Sequence, residues 1–178
     1  MVRAPLSAAP PLLNTVRAAF VYDGPLRSAV VRLKYAPDPY PARALGTLLA
    51  QAFPDQASIA WCDTLVPMPL SWRRQRERGF NQAALLARPL QQQLGLQWAP
   101  HLLRRRHRPA QAGLTAAERH KNVADSFRAR PCHGAAVLLL DDVVTTGSTL
   151  HAATNALLSA GARRVLPLTL ALALEPAR

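Results

Sequence analysis

VLLLDDVVTTGST, running from Val137 to Thr149, decides how this chain is read. The segment Ala135 to Leu140 is continuously apolar, as expected of a central parallel strand covered on both faces. Behind it, Leu150, Ala153, Leu157 and Leu158 recur at helical spacing from Gly147 to Ala160, with Gly161 closing the helix, and Val165 to Leu174 reads as another strand. Strand, helix, strand is a βαβ unit. Open parallel sheets bind ligands beyond the carboxyl ends of their strands, where the next helix offers free N–H groups and the positive end of its dipole. Thr145, Thr146, Gly147, Ser148 and Thr149 fall there, with Gly147 allowing close backbone approach to an anion and four hydroxyls surrounding it. Asp141 and Asp142 precede this turn by about one sugar width and can accept hydrogen bonds from vicinal hydroxyls. A ribose carrying a 5-phosphate satisfies both halves. The competing reading is a helix cap, but two adjacent carboxylates at the end of an apolar strand are costly to desolvate and unnecessary for capping.

Upstream, Thr15 to Tyr22 alternates like a short strand and meets a turn at Asp23-Gly24-Pro25. Leu26 to Tyr35 and Ala42 to Phe53 carry apolar stripes (Leu26, Val30, Leu33; Leu45, Leu48, Leu49, Phe53) that predict two amphipathic helices. Asp63 to Met68 predicts a strand that stops at its prolines, followed by a basic loop. Phe80 to Leu94 predicts a helix capped by Gly95. Trp98 to Leu103 and Asp125 to Ala129 read as strands, Arg104 to Gly113 as an exposed loop and Ala116 to Asn122 as a short helical stretch. With no repeats or linkers, residues 1–178 read as one α/β domain: a helical and hairpin prelude over 1–55 and a core over 56–178.

Charge adds a second constraint. The 178 residues carry 22 Lys/Arg against 10 Asp/Glu, a net +12. Thirteen of those cations and only three acids (Glu77, Glu118, Asp125) lie between Arg73 and Arg130, so most of the excess sits in one window. Arginine matches phosphate oxygens in a bidentate fashion, so polyphosphate or nucleic acid is implied, the alternative being a solvated basic face. Cys62 and Cys132 have no partners at metal-ligand spacing and read as small buried thiols, so no zinc is expected. Pro5, Pro10 and Pro11 interrupt any signal-like region, and no apolar run approaches the roughly 20 residues of a membrane span, which predicts a cytoplasmic chain with no membrane insertion.

The DDVVTTGST segment resembles the phosphoribosyl pyrophosphate signature of type I phosphoribosyltransferases. VPMPLSWRRQRERGFNQA (Val66 to Ala83), YDGPLR with LKY (Tyr22 to Tyr35) and RPAQAGLTAAERHKNVADSF (Arg108 to Phe127) extend the resemblance to the ComF family, the competence-associated branch of those proteins, over residues 20–174. The resemblance implies a type I phosphoribosyltransferase-like fold, mainly parallel sheet flanked by helices. It implies that Asp141 and Asp142 hold the ribose hydroxyls and that Thr145 to Thr149 hold the 5-phosphate. It places pyrophosphate, with magnesium, at the loop containing Arg73, Arg76, Arg78, Gly79, Phe80 and Asn81. It makes Arg104, Arg105, Arg106, Arg108 and Gln111 part of a flexible loop that closes over the site. Lys34 and Tyr35 match the family LKY motif and are expected to serve core and rim packing. His151 is expected to be exposed, His107 and His120 belong to the basic window, and Trp61, Trp72 and Trp98 are expected to pack rather than stack on bases. Typical family members begin with a Cys-rich zinc module, whereas the resemblance here starts a few residues after Met1, so the expectation is either that this subgroup lacks the module or that it lies upstream of Met1.

Three functions compete at this stage. One is a magnesium-dependent phosphoribosyltransferase that releases pyrophosphate. Another is an accessory protein that binds single-stranded DNA together with competence or recombination proteins. The third is a regulator that senses phosphoribosyl pyrophosphate without turning it over. A homodimer is compatible with all three, and the acceptor of a transfer reaction is not readable from these residues.

Overall fold

The structure, a computed structural model, describes residues 16–35, 40–52, 59–106 and 126–174. Its core is a five-stranded sheet, parallel throughout, built from β1 (Arg17–Val21), β2 (Thr64–Pro67), β3 (Gln97–Trp98), β6 (Ala136–Val144) and β7 (Arg164–Leu172). The strand order is β1-β7-β6-β2-β3. The helices are α1 (Gly24–Tyr35), α2 (Tyr40–Gln51), α3 (Trp72–Arg78), α4 (Gln82–Leu94) and α5 (Ser148–Ser159). A separate antiparallel ribbon joins β4 (Leu103–Arg105) to β5 (Phe127–Ala129). This is an α/β architecture of parallel sheet flanked by helices, consistent with the type I phosphoribosyltransferase-like fold.

The central strand is buried because its sequence leaves no alternative: Ala136 to Leu140 are all fully enclosed. β6 lies where the chain changes direction, since β2 leads outward to β3 on one side and β6 leads to β7 on the other. Right-handed crossovers running in opposite directions place α4 and α5 on opposite faces of the sheet. On the first face α2 packs against α4 around Leu45, Leu49, Leu86 and Leu90. On the second, α5 packs against β6, β7 and the ribbon.

Several local expectations need correction. The N-terminal strand forms no hairpin. β1 joins the sheet parallel to β7, pairing Arg17 with Leu168 and Phe20 with Ala171. Leu48 faces solvent, on the edge of the stripe about 60° around the helix from Leu45 and about 100° from Leu49, and Leu158 is only half-buried. The basic segment after Pro67 is a helix, not a loop: the Ser71 side chain accepts from Arg74 N to start α3, and Gly79, at φ 76°, ends it. Trp98 to Leu103 is broken into β3, a turn and β4, and Arg104 and Arg105 lie in β4 and not in a loop. Phe53, the Ala116 to Asn122 stretch, His107, Arg108, Gln111 and His120 lie outside the described residues. Among the described residues, no helix is long and apolar enough to cross a membrane.

Candidate sugar-phosphate site

β6 remains extended through Val144, so strand alternation turns Asp141 and Asp142 toward opposite sides. Asp142 is buried and faces α1 and α4. Lys34 Nζ lies 3.0 Å from Asp142 Oδ2, and Gln82 Nε2 donates to the same oxygen at 3.3 Å. The carboxylate therefore has its charge partner and a hydrogen-bond donor from two different helices. Gln82, at the start of α4, keeps its Oε1 enclosed with no partner among the described residues.

Asp141 is half-buried and has no ion pair among the described residues. Its Oδ1 accepts from Asp142 N at 2.9 Å. Enclosure by the protein, reinforced by the neighbouring Asp142 carboxylate, pushes Asp141 up to about 8, with Lys34 opposing the rise. Arg105 shares this side. Burial lowers the Arg105 pKa from its ordinary value, repulsion from Arg74 adds to the effect, and attraction to Asp141 opposes it. Arg105 of β4, Arg74 of α3 and Asp141 of β6 thus share one electrostatic neighbourhood.

The turn after β6 is positioned as its sequence implies. Thr145 and Thr146 are exposed, while Gly147 is buried at φ 75° and is followed directly by α5. No side chain of the preceding residue caps α5. Thr146 Oγ1 lies 3.1 Å from Ser148 Oγ and accepts from Ser148 N at 3.5 Å, which gathers hydroxyls over the helix start. His151, one turn in, is half-buried; its Nε2 lies 3.1 Å from Asn155 Nδ2.

The segment after β2 borders the same end of the sheet. Met68 N donates to Leu140 O at 2.7 Å, and Asn81 ties the segment closed through Nδ2 to Met68 O at 3.0 Å. The Asn81 side-chain oxygen also caps α4 by accepting from Ala83 N and Ala84 N. The arginines of α3 are not equivalent. Arg73 is exposed and paired with Glu77 at 2.7 Å. Arg76 lies 5.0 Å from the ring of exposed Trp72, so this tryptophan is not a packing residue. Arg78 is partly enclosed, 5.8 Å from the Tyr35 ring, with Nη1 lacking a partner among the described residues.

The LKY triplet acquires three separate jobs from this arrangement. Leu33 fills the core, Lys34 neutralises Asp142, and Tyr35 carries the face beneath Arg78. Helical spacing gave no sign of the last two contacts, because Asp142 is 108 residues away in the chain. Gln82 and Arg74 were missed for the same reason. An amphipathic pattern registers which residues face inward, not which polar partner meets them.

No family model matches the chain. Individual proteins do. It is 35% identical over 165 residues to the DNA utilization protein YhgH of Escherichia coli, covering 90% of this chain and 72% of that protein. It is 31% identical over 156 residues to competence protein ComFC of Bacillus subtilis, covering 84% of this chain and 60% of that one. Against competence protein F of Haemophilus influenzae the identity is 31% over 152 residues, 81% of this chain and 66% of the other. With 31–35% identity over 81–90% of its length to proteins of this kind, the chain belongs to the ComF family.

Proposed function

We propose that the site formed by Asp141, Asp142 and the Thr145 to Thr149 turn binds phosphoribosyl pyrophosphate or a related ribose phosphate, and that the protein uses it in the handling of incoming DNA. The observation carrying this reading is the placement of an acidic strand end and a glycine-initiated helix together at the carboxyl end of the central strand. The 5-phosphate would meet the N–H groups and hydroxyls of Thr146, Gly147 and Ser148. Asp141, with no ion-pair partner among the described residues, is the more accessible acceptor for a ribose hydroxyl. Asp142 is already engaged by Lys34 and Gln82, so a sugar reaching it shares that carboxylate with the ammonium.

Arg78 is the best-placed α3 cation for a pyrophosphate, being partly enclosed with an unpartnered N–H, whereas Arg73 is held by Glu77. Magnesium, when bound, neutralises charge on the departing pyrophosphate. The acids fit an ion brought in on the ligand, because Mg²⁺ commonly takes one or two carboxylates together with substrate phosphates and water. In a transfer reaction an acceptor bonds to C1 as the C1–O bond to pyrophosphate breaks, and the protein's part is to hold the ring and receive the leaving anion. The DNA link is supported by relatives named for DNA utilization and competence.

Calorimetry with phosphoribosyl pyrophosphate and Mg²⁺ tests the reading. Binding by the wild type, abolished in Asp141→Ala/Asp142→Ala while a folded melting transition persists, is the expected result. A wild type that takes up no ligand at millimolar concentration would sink it. The basic window favours a second reading, a non-catalytic accessory for single-stranded DNA. Ligand binding without pyrophosphate release across a broad acceptor panel would move the assignment to that accessory or to a phosphoribosyl pyrophosphate sensor.

A further inference from the structure

β4 and β5 form a ribbon whose two faces differ completely. Leu103 and Phe127 are buried in the core, Ala129 is partly buried against it, and Arg105 lies on the same inner side, 5.5 Å from the Phe127 ring. The outer face holds the alternate residues. Arg104 and Arg128 are direct cross-strand partners, and the ladder is extended at both ends by Arg106 N to Ser126 O and Arg130 N to Leu102 O, each 2.8 Å. Arg104, Arg106, Arg128 and Arg130 are consequently all exposed on one narrow surface. Among the described residues no acid lies within ion-pair distance of any of them.

Like charges placed directly opposite on a ribbon destabilise it, and a one-residue slip would relieve this pair only by moving Leu103 and Phe127 out of the core. The register is therefore held by burial while the outer face carries a repulsion that no acid among the described residues offsets. Successive outer residues are about 7 Å apart along a strand and the two strands about 5 Å apart, a strip one polynucleotide backbone wide. Among the described residues no aromatic side chain projects from the outer face, so the contacts would be to phosphates, without base reading.

The strip leads somewhere at both ends. Its Arg105 end shares the electrostatic neighbourhood of Asp141 and Arg74. Its Arg130 end opens on a cleft of about 580 Å³ lined by His101, Arg130, His133, Asp63 and Gln97, beneath the first residues of β2 and β6. This cleft is about 17 Å from Asp141 along β6, at the opposite end of the sheet from the sugar-phosphate turn. His133 holds φ 47°, an uncommon conformation for a residue other than glycine, and it rims the cleft.

We propose that the outer face of the β4–β5 ribbon, with the cleft at its Arg130 end, is a binding track for the phosphodiester backbone of single-stranded nucleic acid. The track rests on the DNA-handling reading and not on the sugar-phosphate one. Arg104, Arg128 and Arg130 hold the strand, and Arg105, facing inward, does not.

Fluorescence anisotropy with a labelled oligothymidylate, across a salt series, tests the track in the full chain. Arg104→Gln/Arg128→Gln should weaken binding at least about tenfold and reduce the slope of log affinity against log salt by about 1.4, roughly 0.7 for each phosphate no longer neutralised. Its melting temperature should hold or rise, since a repulsion has been removed. Arg104→Lys/Arg128→Lys should retain the slope. Unchanged affinity and slope in the glutamine variant, or tighter binding of a duplex of the same length through the same arginines, overturns the proposal. Calorimetry with phosphoribosyl pyrophosphate separates the two sites: the ribbon variants should retain that binding, and Asp141→Ala should lose it while keeping the oligonucleotide.

Discussion

Lys34 Nζ lies 3.0 Å from Asp142 Oδ2, joining the last turn of the first helix to the acidic end of the central strand. The carboxylate is almost fully buried and the lysine side chain 22% exposed. Removing one member of a buried pair leaves the other charged and unsolvated, a loss of about 3–5 kcal/mol in fully enclosed cases. With one partner partly wet, Lys34→Met should cost about 2–3 kcal/mol by urea denaturation. Combining it with Asp142→Asn should restore most of that stability, and a double-mutant cycle would register the coupling. A cycle showing additive losses would mean the pair contributes nothing.

Asp141 makes stability depend on pH. Its folded-state pKa is raised from 3.8 to about 8, so the native state holds a proton that the unfolded chain releases above about 4. The stabilising contribution is complete below the unfolded pKa, declines as pH rises, and is lost as pH passes about 8. Asp141→Asn should flatten this part of the profile and melt a few degrees above wild type at pH 9. Thermal scans from pH 4 to pH 9 are the measurement, and identical profiles for the two proteins would contradict the assignment.

Gly147 sits at φ 75° at the start of α5. Alanine there should cost about 1–2 kcal/mol from the left-handed conformation and also disturb the anion turn. Gly95 offers a control, at φ 64° with nothing within 4 Å of an added Cβ. Both alanine variants should lose similar stability, but only Gly147→Ala should weaken ribose-phosphate binding, by about tenfold or more, because a backbone N–H no longer reaches a charged group.

Gly46 has a different reason to be glycine. A Cβ there would lie 2.7 Å from Leu86 O and 3.0 Å from Pro89 Cγ, where α2 crosses α4. In an open helix alanine would stabilise by about 0.5–1 kcal/mol. Here the clash is with backbone and a proline ring, so Gly46→Ala should destabilise by about 1–3 kcal/mol in chemical denaturation while leaving ligand affinity unchanged.

Much of this protein could be read from the chain alone, where one residue type had only one sensible physical role. The apolar run before Asp141 had to be an interior strand, the Thr-Gly-Ser turn had to precede a helix, and Gly95 had to end one. What the tertiary structure alone decided is the partnership of charges. Asp141 and Asp142 are neighbours in sequence, yet the strand turns one toward Arg105 and gives the other to Lys34 and Gln82. Arg104 and Arg105 are likewise adjacent, yet β4 sends one to solvent and the other inward. Hydrophobic burial is strong and periodic, so it leaves its pattern in the order of residues. An ion pair between distant segments depends on where packing has already delivered them, and leaves none.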